Sequence, residues 1–210
     1  MRKTIYQAIT ITIFLFILLG VVYPLLITVV GRWIFPSQAN GSMLSVNGVP
    51  VGSKLIGQNF VQAKYFHGRP SSAGNGYDAA NSSPSNLAPT NKALYDKMDA
   101  SIQQVLKENP TLKVKDIPID LVTGSGSGLD PDISPESAYV QISRVALARK
   151  IDENRIKLLV EQNIHEPTFG FIGERTVNVL MLNVALDSIS LSSTAQLSSP
   201  GLTGGSIQGK

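Results

Sequence analysis

Between Lys3 and Arg32 the chain carries no charge: positions 4 to 31 are 28 uncharged residues, mostly Ile, Leu, Val and Phe. About 20 apolar residues suffice for a helix to cross a bilayer. In hydrocarbon every backbone N–H and C=O must pair internally, so a lone segment can span only as a helix. Residues 1–36 are therefore expected to form a transmembrane anchor, with the span near 5–30, and the rest of the chain is expected to work beside a membrane. The competing reading is a cleaved secretory signal, with Arg2 and Lys3 as its basic start and Ser37-Gln38-Ala39 as its cleavage site. A signal's apolar core runs ~7–15 residues, whereas Ile5 to Val30 is 26, which favours a retained anchor. Trp33 and Phe35 at one end, and Tyr6 at the other, suit the headgroup layer.

Pro24 interrupts this helix and cannot donate to the carbonyl of Gly20, four residues back. Thr28 or another helix is expected to serve that carbonyl. Thr4, Thr10 and Thr12 are mildly polar for a solitary lipid-facing helix. Two readings stay open: a tolerated kink, and a helix shaped to dock on a larger membrane partner.

The remainder allows roughly 150 ordered residues, enough for one domain. The chain has no cysteine, which excludes disulfides, thiolate metal sites and a cysteine nucleophile. The net charge is +3 with scattered basic residues, so no basic run points to nucleic acid or a polybasic lipid patch.

Asn47-Gly48 between short apolar stretches predicts a hairpin, because a type I′ turn needs positive φ twice. Pro50 assigns it an edge strand. Ser71 to Thr90, rich in Ser, Asn, Gly and Pro, reads as loop. Tyr95, Met98, Ile102 and Val105 make one apolar stripe and predict a helix from Lys92 to Asn109, with Thr90 as N-cap and Pro110 as its stop. Ile117 to Val122 reads as a short strand. Ser134-Pro135-Glu136 starts a second helix, expected to continue to Arg149 or Lys150. Asp152 to Asn163 is a third. Thr176 to Leu186 is nearly continuously apolar and reads as a strand. Ser188 to Lys210, rich in Ser and Gly, is expected to be a disordered tail.

Catalytic motifs fail one by one. His67 and His165 are 98 positions apart, with no marked metal partners. Gly124-Ser125-Gly126-Ser127-Gly128 lacks the Gly-Lys-Ser/Thr of a phosphate loop, and its central residue is glycine rather than a nucleophilic serine. Asp130 and Asp132 match no calcium loop and suit turns and caps. Asn40-Gly41-Ser42 and Asn81-Ser82-Ser83 fit the glycosylation pattern, relevant only in a eukaryotic secretory pathway. No metal site and no catalytic residue is expected.

Six ordered motifs carry a family likeness: Leu55-Ile56-Gly57-Gln58-Asn59-Phe60, Tyr65-Phe66-His67-Gly68-Arg69-Pro70-Ser71, Ser85-Asn86-Leu87-Ala88-Pro89-Thr90-Asn91, Ser125 to Ser134, Gln141-Ile142-Ser143-Arg144-Val145-Ala146, and Val177-Asn178-Val179-Leu180 through Asn183 to Asp187. With the single N-terminal span, the chain resembles the KdpC family, small subunits of the bacterial Kdp potassium-transporting P-type ATPase, over Met1 to Asp187. Asp132, where histidine would be expected, the stretch Thr168 to Gly173 and the tail depart from that pattern.

The resemblance implies an accessory subunit of a high-affinity potassium uptake complex, beside a channel-like potassium-binding subunit and an ATP-hydrolysing subunit. It implies a subunit that stabilises the assembly and raises the ATP affinity of its partner, the role called catalytic chaperone. It also implies ATP as a nucleotide reached through the complex, with Gln141 as candidate contact and Arg144 one turn on; the alternative for Gln141 is a packing or capping role. Different-class alternatives are a membrane-anchored hydrolase and a periplasmic binding module.

The expected fold is α+β: one spanning helix, then a single compact mixed domain over 37–187. The expected location is the bacterial inner membrane, with the N-terminus cytoplasmic and the domain outside, since Arg2 and Lys3 precede the span and only Arg32 lies close behind it. That topology conflicts with direct contact between Gln141 and cytoplasmic ATP.

Overall fold

The computed structural model describes residues 1–197, with side chains through Ile189. The chain divides into two compact units, one over Met1–Leu55 and one from Ile56 onward.

The first unit is dominated by one helical run, Arg2–Ile34, 33 residues long and apolar enough to cross a membrane. At 1.5 Å per residue it is about 50 Å long, more than the ~30 Å of a hydrocarbon core. It begins as α1 (Arg2–Ile17), widens into a π-turn at Leu18–Val22 and continues as α2 (Tyr23–Ile34). Apolar side chains stand exposed along it, from Phe16 and Leu19 to Leu26 and Val29; a helix apolar all round calls for a lipid environment. The π-turn sits immediately before Pro24: the Tyr23 N–H reaches back five residues to Leu18 O, a slackening that makes room for the proline ring.

A short helix α3 (Pro36–Ala39) leads to strands β1 (Met43–Val46) and β2 (Val49–Ser53), an antiparallel pair. The predicted hairpin is present. Asn47 and Gly48 have φ of 52° and 79°, the two positive angles of a type I′ turn. Pro50 lies in the second strand opposite Ser45, next to a register shift at Leu44/Ser45.

The second unit begins with an irregular stretch and then α4 (Lys92–Glu108). Asn91 caps this helix, accepting from Ala93 N at 2.9 Å; the expected cap at Thr90 is one residue early. Three short strands, β3 (Asp132–Ile133), β4 (Ile164–His165) and β5 (Thr176–Asn178), form an antiparallel sheet in the order β3-β5-β4. Four helices surround it: α5 (Pro135–Tyr139), α6 (Ile142–Arg149), α7 (Glu153–Gln162) and α8 (Val179–Leu197). Ile133, Val145, Ile156, Val160, Val177 and Leu182 are core residues from these elements, and Phe66 of the irregular stretch is fully buried among them. The α+β expectation holds.

Three sequence expectations are overturned. The strand expected over Ile117 to Val122 is a 3₁₀ turn at Ile119–Leu121. Asp120 aims its carboxylate at the start of α5, accepting from Ser134 N at 2.7 Å and from the hydroxyls of Ser134 and Ser137.

The single helix expected from Ser134 breaks between α5 and α6. There the Gln141 N–H bonds Ala138 O, three residues back, and the Gln141 side chain takes Ser137 O at 3.0 Å, where the next regular backbone bond would have formed.

The strand expected to run to Leu186 stops at Asn178. Its side chain accepts from Met181 N at 3.1 Å and so caps α8 in the manner of a helix start. Val179, Leu180, Leu182 and Leu186 are buried as helix residues. A short apolar run reads alike as buried strand or buried helix. The α8 backbone crosses the expected start of the tail at Ser188, and residues 198–210 lie outside the described residues.

Candidate functional site

From Gln58 to Ser71 the chain forms a strap without helix or strand. Buried backbone groups must still be paired, and side chains from the helices pair them. Arg144 of α6 donates to Ala63 O at 2.7 Å and Tyr65 O at 2.9 Å. Arg149 donates to Lys64 O at 2.6 Å. Asn183 of α8 takes both ends of Phe66, accepting from its N–H at 2.8 Å and donating to its carbonyl at 2.9 Å. Gln141 does the same for His67, at 2.8 and 3.1 Å. Two carboxamides therefore give Phe66 and His67 the donor and acceptor that backbone partners would supply in a sheet.

Gln141 and Arg144, the two residues singled out in the sequence, are together and buried; Gln141 is 2% exposed. Arg144 donates from Nη2 to Gln141 Oε1 at 2.6 Å. The Gln141 oxygen accepts from His67 N and Arg144, and its nitrogen donates to His67 O and Ser137 O. Both donors and both acceptor positions of the carboxamide are used inside the protein.

Beside this clamp lies a cleft of about 500 Å³, lined by α4 and the strap, with His67, Arg69, Tyr77, Gln104, Glu108 and Gln141 on its walls. His67 Nδ1 is 3.0 Å from Glu108 Oε2. Its Nε2 is 3.1 Å from Gln62 O and 3.4 Å from Arg144 Nη1. Burial, then the Arg144 guanidinium, pull the His67 pKa below its ordinary value, against the Gln62 carbonyl and the Glu108 carboxylate. Burial likewise lowers that of Arg144, against Glu108. Glu108 Oε2 is 3.9 Å from Arg144 Nε, which is buried without a hydrogen-bond partner, as is Asn109 Oδ1.

Across the cleft wall, Arg69 pairs with Asp130 at 2.8 Å, and the Tyr77 hydroxyl donates to Arg69 O. Burial and Asp130 push the Tyr77 pKa up to about 12. At the far end of the strap Arg149 lies over the Tyr65 ring, 4.9 Å from its centroid, and pairs with Asp187 at 2.7 Å. Among the described residues no three His, Cys, Asp or Glu side chains gather as a metal site.

In the N-terminal helix, Thr28 Oγ1 donates to Pro24 O at 2.7 Å. The expected service of Thr28 to the Gly20 carbonyl is thus not made; its hydroxyl forms the bond back one turn that threonine commonly makes in a helix. Thr10 does the same to Tyr6 O. Gly20 leaves an open notch: a Cβ built there would meet only the Phe16 ring, at 3.9 Å.

In the sequence Gln141 and Arg144 stand out as site residues, His67 figures only as a metal candidate without partners, and Glu108, Asn183 and Arg149 carry no assigned role. His67 and Asn183 lie inside the family motifs. Glu108 and Arg149 carry no local signal.

The family model described as K+-transporting ATPase, c chain, matches residues 5–188. The chain belongs to the KdpC family. The potassium-transporting ATPase KdpC subunit of Mycobacterium tuberculosis (strain ATCC 25618 / H37Rv) is 48% identical over 189 residues, covering 90% of this chain and 100% of the relative. That of Acidobacterium capsulatum is 48% identical over 184 residues, 87% of this chain and 96% of the relative. That of Caldanaerobacter subterraneus subsp. tengcongensis is 45% identical over 186 residues, 89% and 95% of the two chains. The family match takes in nearly all of the N-terminal helical run, the strap, the clamp residues and the first half of α8, and stops at Ser188.

Proposed function

We propose that the chain is a non-catalytic accessory subunit of an ATP-driven potassium uptake complex. The observation that carries this reading is the family match over residues 5–188, anchor and domain together. Its partners are a channel-like potassium-binding membrane subunit and an ATP-hydrolysing P-type subunit. Its work is to stabilise their assembly and so raise the ATP affinity of the hydrolysing subunit. Gln141 and Arg144 enter as the clamp that shapes the strap. A nucleotide reaching Gln141 would have to displace His67 or Arg144, so the effect on ATP passes through the assembled complex.

The domain is placed outside the cytoplasm, in keeping with Arg2 and Lys3 before the span. The anchor docks on its partners and is not only a tether. Gly20 offers a notch for close helix approach, and the π-turn re-aims the faces on either side of it.

A tagged chain should bring down two larger membrane proteins. The ATP KM of that complex should rise when the chain is stripped away, while the chain alone shows no ATPase activity. Replacing Ile5 to Val30 with polyleucine should keep the chain in the membrane and lose the partners. A chain that purifies alone from its native membrane overturns the reading in favour of a free-standing binding module.

A further inference from the structure

The turn between β4 and β5 displays large apolar side chains to solvent. Phe169 is 85% exposed, Phe171 77% and Ile172 54%. Thr168 and Ile172 exchange backbone bonds at 2.9 and 3.0 Å, closing a tip of Phe169, Gly170 and Phe171. Phe169 has φ of 57° and Gly170 of 80°. A bulky side chain in the left-handed region is strained, and Asn or Gly is the ordinary occupant of such a turn. Backbone strain of this kind gathers at functional sites. The strain here serves no packing purpose, since the ring it presents stands clear of the domain.

We propose that this tip dips into the interfacial layer of the bilayer that carries the N-terminal helix. The proposal rests on that helix being embedded. Two phenylalanines and an isoleucine bring at most several hundred Å² of surface, below the ~800 Å² per partner of a stable protein interface. Apolar rings at a headgroup boundary need no shaped partner and settle ~5–10 Å deep. The electrostatics select the kind of surface. The hairpin stem carries a Glu166–Arg175 ion pair, with Glu174 beside it, and beyond Leu55 the 15 Asp and Glu stand against 14 Lys and Arg, so the domain has no basic excess. Insertion is thus driven by apolar contact and gains nothing from anionic lipid.

The chain has no cysteine, so single-site spin labels report each position cleanly. Full-length Phe171→Cys, with Phe169→Cys as a second tip position, is reconstituted in phosphatidylcholine vesicles. Phe16→Cys in α1 marks the membrane, and Leu147→Cys, 84% exposed on α6, marks water. The tip labels should collide with oxygen, as Phe16 does, and be protected several-fold from a water-soluble nickel chelate relative to Leu147. Adding phosphatidylglycerol should leave this unchanged. A tip as open to nickel as Leu147, beside a protected Phe16, overturns the proposal alone. A tip shielded from both reagents is covered by protein and overturns it too. A water-exposed Phe16 sinks the anchor reading and the proposal together.

Discussion

Gln141 grips both ends of one residue of the strap: it accepts from His67 N at 2.8 Å and donates to His67 O at 3.1 Å. Asn183 holds Phe66, the residue before, in the same way. A carboxamide has the donor–acceptor pattern of a peptide group, so each side chain stands in for one residue of a missing strand. The strap gains strand-like pairing without a strand neighbour.

Gln141→Ala should therefore act on stability. It leaves His67 N–H and C=O, Ser137 O and the Arg144 guanidinium short of a partner in a buried site, at a cost on the order of 3 kcal/mol. Urea unfolding of the detergent-solubilised full chain reads this directly. Asn183→Ala should couple to it non-additively, because both hold adjacent residues of one segment. A Gln141→Ala chain of unchanged stability, in a complex with weakened ATP affinity, would instead make Gln141 a nucleotide ligand.

Gly128 and Gly126 share one Gly/Ser window and should respond in opposite ways. Gly128 has φ of 69°, and a Cβ there would sit 2.5 Å from Ser83 O and 2.9 Å from Ala73 N. Gly128→Ala should cost about 3 kcal/mol or more. Gly126 has nothing within 4 Å of a built Cβ, so Gly126→Ala should stay within ~0.5 kcal/mol. Thermal unfolding of both variants checks the pair.

His67 should make stability fall in acid. Burial and Arg144 lower its pKa in the folded state below the ordinary 6.5, so near that pH the unfolded chain binds more protons. Stability is then fully present above the unfolded value and is lost as pH falls through it toward the folded one. Unfolding midpoints of the wild type should drop between roughly pH 8 and 5 by more than those of His67→Asn. An equal drop in the two chains would place the titration elsewhere.

Pro24 should be the cause of the π-turn. Pro24→Ala restores an N–H and removes the ring, letting Leu18–Val22 close as regular α-helix. Amide exchange in bicelles should slow across those residues. Thr28→Val should leave membrane insertion unchanged, because its hydroxyl bonds Pro24 O within its own helix.

The sequence alone determined whatever depends on local composition and period. An uncharged apolar run makes a helix long and apolar enough to span a membrane, the one structure that pairs its own backbone groups in lipid. Asn47-Gly48 makes its hairpin because few residue pairs tolerate two positive φ angles. The stripe on α4 and the Ser134-Pro135 start of α5 are equally local signals. Tertiary structure decided the rest. Val179 to Leu186 became helix because Asn178 caps it and the core takes in Val179, Leu180, Leu182 and Leu186 from it, which an apolar run cannot announce. The helix expected from Ser134 broke at Gln141 because its side chain was needed on His67, 74 positions away. The candidate site divides in the same way. Gln141 and Arg144 stood out through family likeness, but their work as a clamp exists only where distant backbone groups come within hydrogen-bond reach. Such long-range pairing leaves no periodic trace, because its partners are set by the packing of the core and not by their neighbours in the chain.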